Sequence, residues 1–331
     1  MKIKIRHNSL MRLIFGILLL VVIPGIGFVA LWPLVGWQWA LVLPVAWVAL
    51  MVYGFFFGWR HLVVRTTTCE SALLPEAFDG YKVLQLSDIH IGTFLRNRGF
   101  IDKLVSVVNA QQADLIVFTG DLVNVSAEEV IPFQGSLKHI RAHDGIYSVM
   151  GNHDYCEYGE DKSNRNIARN QNVLRYLEEK MGWRLLLNEH AVITRGPGAG
   201  IAVVGVENIS RPPFPDHGDL PKAMDGLPHG MFKILLSHDP SHWRRQVLHQ
   251  TDIALTLSGH THAGQMRFGR FSPAKWAYNE WGGKYVEGGS MLYVSLGIGG
   301  TVPFRFGAWP EVNVIRLKKK KLGSRQHGHT G

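Results

Sequence analysis

The chain has 331 residues, 46% of them hydrophobic, and a formal net charge of +9. Two cysteines, Cys69 and Cys156, are too few and too far apart for a disulfide framework or a zinc ribbon, and read as reduced bystanders. The positive charge raises nucleic-acid binding, but no basic helix with interleaved aromatics is present, so nucleic acid is not an expected partner. The excess instead gathers at Lys2 to Arg12 and at Lys318 to Lys321, where anionic lipid is the simpler counterpart; solubility alone remains the plain alternative. From Leu13 to Trp59 there is no Asp, Glu, Lys or Arg, more than twice the roughly 20 residues needed to cross a bilayer. Pro33 and Gly36 divide this run, with Trp32, Trp37 and Trp39 nearby, which predicts two helices, about 13–32 and 37–58, with an aromatic belt at their turn. Lys2, Lys4, Arg6 and Arg12 precede the hairpin, Arg60 and Arg65 follow it, and the turn carries no basic residue. Both ends and everything after them are therefore expected on the cytoplasmic side of a cell membrane, as a two-helix multi-pass protein. A signal peptide fits poorly, being far shorter; a single anchor that exports the rest is the rival topology.

The expected boundaries are a membrane anchor over 1–65, a soluble domain over 66–322 and a polar tail over 323–331, whose His327 and His329 read as solvated. About 265 residues outside the hairpin suit one large α/β domain. Within it, five apolar runs read as strands: Tyr81 to Leu86, Asp114 to Thr119, Gly145 to Met150, Phe232 to Leu236 and Ile253 to Leu257. Each stops at a polar motif: Asp88-Ile89-His90, Gly120-Asp121, Gly151-Asn152-His153-Asp154, Ser237-His238-Asp239 and Gly259-His260-Thr261-His262. Alone, most of these are turn signals. Ligands of α/β sheets gather beyond the carboxyl ends of strands, so five such endings should share one cleft. Imidazoles, carboxylates and one side-chain amide form a mixed N/O set that suits manganese, iron or zinc.

This ordered pattern resembles the calcineurin-like metallophosphoesterase superfamily, from about Lys82 to about Leu317. The resemblance implies an α/β fold, a four-layer αββα sandwich here preceded by the transmembrane hairpin. It also implies two divalent metal ions, manganese first, with iron or zinc as alternatives. Carried over by position, Asp88, His90 and His262 would hold one metal, Asn152, His238 and His260 the other, and Asp121 would bridge them. A hydroxide between the metals would attack phosphorus in line. His153 is placed as the catalytic acid for the leaving oxygen, with Asp154 either orienting it or capping a backbone amide. The chain departs from the common pattern at Asn124, where many members carry a carboxylate, and at Ala263, where many carry glycine. Both departures bear on the shape of the cleft.

Beyond the motifs, Lys162 to Lys180 predicts a helix closed by Gly182. Strand-like runs follow at Arg184 to Leu187 and Ile201 to Val206, with a Gly-Pro-Gly turn between them. Arg211 to Pro215 reads as an exposed loop near the cleft. Gly282 to Gly300 resembles the family's closing strand pair, with Tyr285 and Tyr293 as core residues. The expected function is a membrane-anchored phosphoesterase acting on a phosphodiester, phosphomonoester or pyrophosphate, with a membrane lipid or nucleotide-lipid among its candidate substrates. Resemblance extends to the UDP-2,3-diacylglucosamine pyrophosphatases of lipid A synthesis. A metal-bound membrane scaffold without catalysis is the contrasting class, which has no need of His153.

Overall fold

The computed structural model describes residues 9–159 and 161–320; the flanking Lys2, Lys4 and Arg6, Lys321 and the tail with His327 and His329 lie outside them. Among the described residues, twelve strands form two six-stranded mixed sheets. The first holds β1 (Val63–Ser71), β2 (Lys82–Leu86), β3 (Leu115–Phe118), β4 (Ile146–Ser148), β5 (Trp183–Leu185) and β12 (Glu311–Lys319), in the order β1-β12-β2-β3-β4-β5. The second holds β6 (Glu189–Thr194), β7 (Gly200–Gly205), β8 (Phe232–Leu236), β9 (Leu255–Ser258), β10 (Gly283–Glu287) and β11 (Ser290–Val294), in the order β10-β11-β9-β8-β7-β6.

The layering follows from the two-residue period of strand side chains. In the first sheet Val83, Leu115 and Val117 point inward to meet Ile201, Val203, Ile234 and Leu257 of the second. Their neighbours Leu84, Ile116 and Phe118 point outward under Ile101, Leu104, Leu174 and Leu177, which come from the helices Arg98–Ala110 and Asn164–Lys180. On the other outer face Ala202, Val204 and Leu235 pack with Leu220, Ala223 and Trp243. Helix, sheet, sheet, helix is the expected four-layer αββα sandwich.

The predicted strands all appear, and the 162–180 helix begins two residues late, capped by Ser163 Oγ on Asn166 N–H. Gly182, at φ +79°, leaves it in the left-handed conformation open to glycine. Three strands lie outside the sequence reading. β6 pairs antiparallel with β7 through the Gly-Pro-Gly turn, and β1 pairs parallel with β12. β1 starts at Val63, inside the stretch expected to belong to the anchor.

The hairpin consists of two apolar helical stretches, Leu13–Val35 and Trp37–Arg60. Gly36, at φ +78°, makes the turn alone, and the first helix runs through Pro33 rather than ending before it. One turn, Leu18–Val22, widens so that Ile23 N–H reaches Leu18 O. Leu19 O then faces Pro24, which has no N–H, and Trp47 Nε1 donates to that carbonyl instead at 2.7 Å. Backbone groups in lipid need such internal partners.

The base of the hairpin is seated on the domain. Phe304 packs against Phe55 at 4.8 Å and Phe15 at 5.5 Å, and Trp59 enters the domain core beside Phe94. Gly58 lies so close to the Arg305 carbonyl that a Cβ would collide with it.

Candidate metal centre

The five motifs converge at the carboxyl ends of β2, β3, β4, β8 and β9, three strands of one sheet and two of the other. The chain must turn sharply at each ending. Asp88, His90, Asp121, His260 and His262 all take positive φ, between 44° and 71°, a region that costs L-residues of order 1–3 kcal/mol each and concentrates at functional sites. Glycines clear the space between the turns: a Cβ on Gly259 would strike the Asp88 carboxylate, and one on Gly151 would strike Asp121 Oδ1.

Two groups of side chains meet here that could hold a cation. One is Asp88, His90, Asp121 and His262, the other Asp121, His238 and His260, with ligand atoms in each within 4.8 Å of one another. Asp121 belongs to both: its Oδ2 lies 3.4 Å from His90 Nε2 and 3.3 Å from His238 Nε2. Its Oδ1 accepts the His153 backbone N–H at 2.9 Å. Asn152 Oδ1 stands 2.9 Å from His260 Nδ1 in the second group, and Asn152 Nδ2 donates to Tyr158 Oη. His262 Nε2 lies 3.4 Å from Asp88 Oδ1 and 3.2 Å from His90 Nε2.

The hydrogen bonds behind these rings fix which nitrogen faces the centre. His238 Nδ1 donates to Thr119 O at 2.7 Å, so Nε2 is the nitrogen that faces Asp121. His153 Nδ1 likewise donates to Asn124 O at 2.6 Å, leaving its Nε2 unprotonated in the neutral ring. His260 turns Nδ1 inward, with Nε2 at 2.7 Å from Tyr278 Oη. Such partners behind a ring set its tautomer and its orientation.

Burial pushes His90 down to about 3 and His260 to about 4, and His262 falls well below its ordinary value, helped by His90 and Arg305. Burial alone would also lower His238, but the Asp121 carboxylate overrides it and lifts that ring to about 10. Neutral imidazole is the form that binds metals.

Asp154 is not where an orienting role for His153 needs it. Its Oδ2 accepts from Asp121 N and Gly151 N at 2.7 and 2.9 Å, and its Oδ1 from Leu122 N and Val123 N at 2.8 and 3.2 Å. Burial and the Asp121 charge raise its carboxyl to about 7, while backbone donors hold the charged form. The amide-capping alternative describes this geometry. Asn124 serves by its backbone carbonyl under His153, and its side chain donates to Thr93 Oγ1.

Several neighbours escaped the sequence reading. Arg305, fully buried, places Nη2 3.2 Å from His262 Nδ1 and donates to the carbonyls of Leu296, Gly299 and Ala308. Tyr278 sits behind His260, and Tyr158 packs on His153 with ring centroids 4.4 Å apart. Each is far in sequence from its partner motif or lacks a pattern of its own; for Arg305 the only signal is a lone arginine inside an apolar segment. The expected loop at Arg211 to Pro215 does reach the cleft, where Phe214 meets His260 edge-on at 4.9 Å. Cys69 and Cys156 are buried, free thiols that belong to neither ligand group. Tyr285 and Tyr293 belong to the closing strand pair, Tyr293 being buried against Asn313.

Residues 81–264 match the family model for calcineurin-like phosphoesterases. The chain belongs to this family. It is 30% identical over 281 residues to the metallophosphoesterase YkuE of Bacillus subtilis, covering 80% of this chain and 90% of that one. It is 33% identical over 280 residues to a transmembrane protein with a metallophosphoesterase domain from Danio rerio, covering 82% of this chain; the match spans only 60% of the fish protein's length. Among solved structures, the phosphopantetheinyl hydrolase of Mycobacterium tuberculosis aligns with a TM-score of 0.44 and 14% identity, over 69% of this chain and 96% of that one. The chain is thus a metallophosphoesterase with a cluster of Asp and His side chains suited to divalent metal.

Proposed function

We propose that this metallophosphoesterase is anchored in a membrane and works with two divalent cations, a reading carried by the position of Asp121 Oδ2 between the two ligand groups. Asp88, His90 and His262 would hold one cation, Asn152, His238 and His260 the other, and Asp121 would serve both. The residues fit such a pair. His90 Nε2 and His262 Nε2, 3.2 Å apart, can share only one proton between them, and a cation relieves that crowding of lone pairs. Bound cations would supply Lewis acidity at the phosphoryl oxygens and an acidified water, with manganese the first candidate and iron or zinc suited to the same set.

The chain's own groups supply the rest. His153, with Nδ1 committed to a carbonyl, can carry a proton on Nε2 at the cleft and deliver it to a leaving oxygen. Asp154 holds the amides of residues 121–123 and Gly151 in register, which keeps Asp121 and Asn152 on their marks. Substrates with a phosphodiester, phosphomonoester or pyrophosphate bond fit this machinery, and nucleotide-lipids such as UDP-2,3-diacylglucosamine fall within that class. A scaffold without catalysis leaves the poise of His153 unexplained.

The hairpin, apolar over its length and transmembrane in name in a relative, supports anchoring. The basic residues at its ends favour a cytoplasmic catalytic domain. The test is to purify the full chain in detergent, load it with Mn²⁺, and measure metal content by mass spectrometry beside hydrolysis of bis(p-nitrophenyl) phosphate and p-nitrophenyl phosphate. Two metals per chain, with turnover abolished in Asp121→Asn, are expected. A single metal, or turnover unchanged in that variant, refutes the two-cation reading.

A further inference from the structure

The segment that carries His262 continues into a loop, residues 266–277, whose composition suits neither water nor a protein core. Phe268, Phe271 and Trp276 are exposed by 37%, 42% and 81%, and the cationic Arg270 and Lys275 stand exposed among them. The aromatic rings run on from the hairpin: Phe268 stacks on Trp47 with centroids 6.1 Å apart. Phe268 and Phe271 exchange backbone hydrogen bonds, and Phe271 meets Trp276 at 5.6 Å.

Position along the helix sets the depth. Trp47 lies nine residues from the helix end at Phe56, about 14 Å at ~1.5 Å per residue. A loop stacked there lies alongside the hairpin rather than beyond its base, so it meets the near face of a bilayer that takes up the hairpin. Aromatic rings favour the boundary of headgroup and acyl chain, and Arg and Lys stems reach from it to anionic phosphate. The same loop forms one wall of the metal cleft through Pro273, Ala274 and Ala277, with Tyr278 directly after it, and Ser272 Oγ ties it to the Ala263 carbonyl beside His262.

We propose that residues 266–277 are a rim inserted into the lipid surface, so that the cleft opens at headgroup level and takes a phosphoester-bearing amphiphile directly from the leaflet. The proposal rests on the anchored reading above. Continuity with the hairpin and the exposed Arg270 and Lys275 single out lipid, rather than a protein, as the partner.

The experiment uses the full chain in phosphatidylcholine–phosphatidylglycerol vesicles, with an environment-sensitive fluorophore on Trp276→Cys, Leu34→Cys near the hairpin turn, or Ser106→Cys on an exposed helix of the domain. The native thiols are buried, 1% exposed each. Spin-labelled lipids are expected to quench the fluorophore at 276 and at 34 and to leave 106 bright. Quenching at 34 with none at 276 overturns the rim and spares the anchor; none at either position overturns both. As a second measurement, Phe271→Ser with Trp276→Ser should lower turnover of a vesicle-borne fluorogenic phosphodiester about tenfold and leave bis(p-nitrophenyl) phosphate unchanged. Equal loss on both substrates, or on neither, counts against the proposal.

Discussion

Replacing Asp154 by Asn separates two roles that a carboxylate beside a catalytic histidine can have. In the structure each carboxylate oxygen accepts two backbone N–H groups, from Asp121 and Gly151 on one side and from Leu122 and Val123 on the other. An amide of the same shape must turn its NH₂ toward one of those pairs, so two acceptor contacts become donor against donor. Hydrogen bonds to charged groups contribute about 1.5–3 kcal/mol each, so the change costs about 3–6 kcal/mol against a typical total of 5–15. In a domain of this size each kcal/mol moves the midpoint by about 2–4 °C, which predicts a fall of roughly 6–24 °C. Thermal unfolding followed by tryptophan fluorescence, with metal content measured on the same sample, reads the effect. Both should drop together, because the amides held by Asp154 position Asp121. A variant that kept its midpoint within about 2 °C and its metals, yet lost turnover chiefly with poor leaving groups, would refute the clamp and restore an orienting role toward His153.

His153→Ala should lower turnover by about 10²–10⁴-fold, most for alkoxide leaving groups, with both metals retained; loss of metal on mass spectrometry would show that the residue is structural. Trp47→Phe strands the Leu19 carbonyl beside Pro24, at a cost of about 1–3 kcal/mol, and should expose the hairpin to limited proteolysis in detergent while soluble-substrate turnover holds. Gly58→Val should drive the hairpin off the Arg305 carbonyl and lower thermal stability through lost packing, whereas Gly36→Ala, where nothing lies within 4 Å but φ +78° with ψ 158° is a conformation kept for glycine, should cost only that backbone strain, about 1–3 kcal/mol. Equal effects at the two glycines would mean that the Gly58 contact is unimportant.

The centre was legible in the sequence because its residues sit where strands end, and a strand end is a local event: five apolar runs followed by polar residues can be read one at a time. The αββα layering was reached only through resemblance, since which of the five strands share a sheet is not written in any one of them. β1 and β12 escaped for a related reason. Val63 to Ser71 follows an apolar helix without a turn signal, and its partner lies some 250 residues away. Asp154 shows the limit at a single residue. Sequence places it next to His153, but left-handed turns at Asp121 and Cys156 bring the backbone of the preceding motif onto its carboxylate, and adjacency along the chain loses to geometry.

The hairpin was legible as apolar length and illegible as a contact surface. Gly54 and Gly58 lie one helical turn apart on one face, spaced as in close helix packing within membranes, yet their partner is the loop at Phe304 and Arg305, not a second helix. Arg305 N–H donates to the Gly54 carbonyl at 3.3 Å, and the Arg305 guanidinium stands behind His262. One residue thus touches both the hairpin and an imidazole of the candidate metal centre. If the hairpin only addressed the protein to a membrane, a flexible linker would serve and Arg305 would have no reason to be buried between them. A rigid seat instead fixes the cleft relative to the hairpin. Deleting residues 1–57 should accordingly do more than release the domain into solution: with Phe304 uncovered and Arg305 loosened, metal affinity should fall, and a truncated domain that bound both metals as tightly as the full chain would show the seat to be mere attachment.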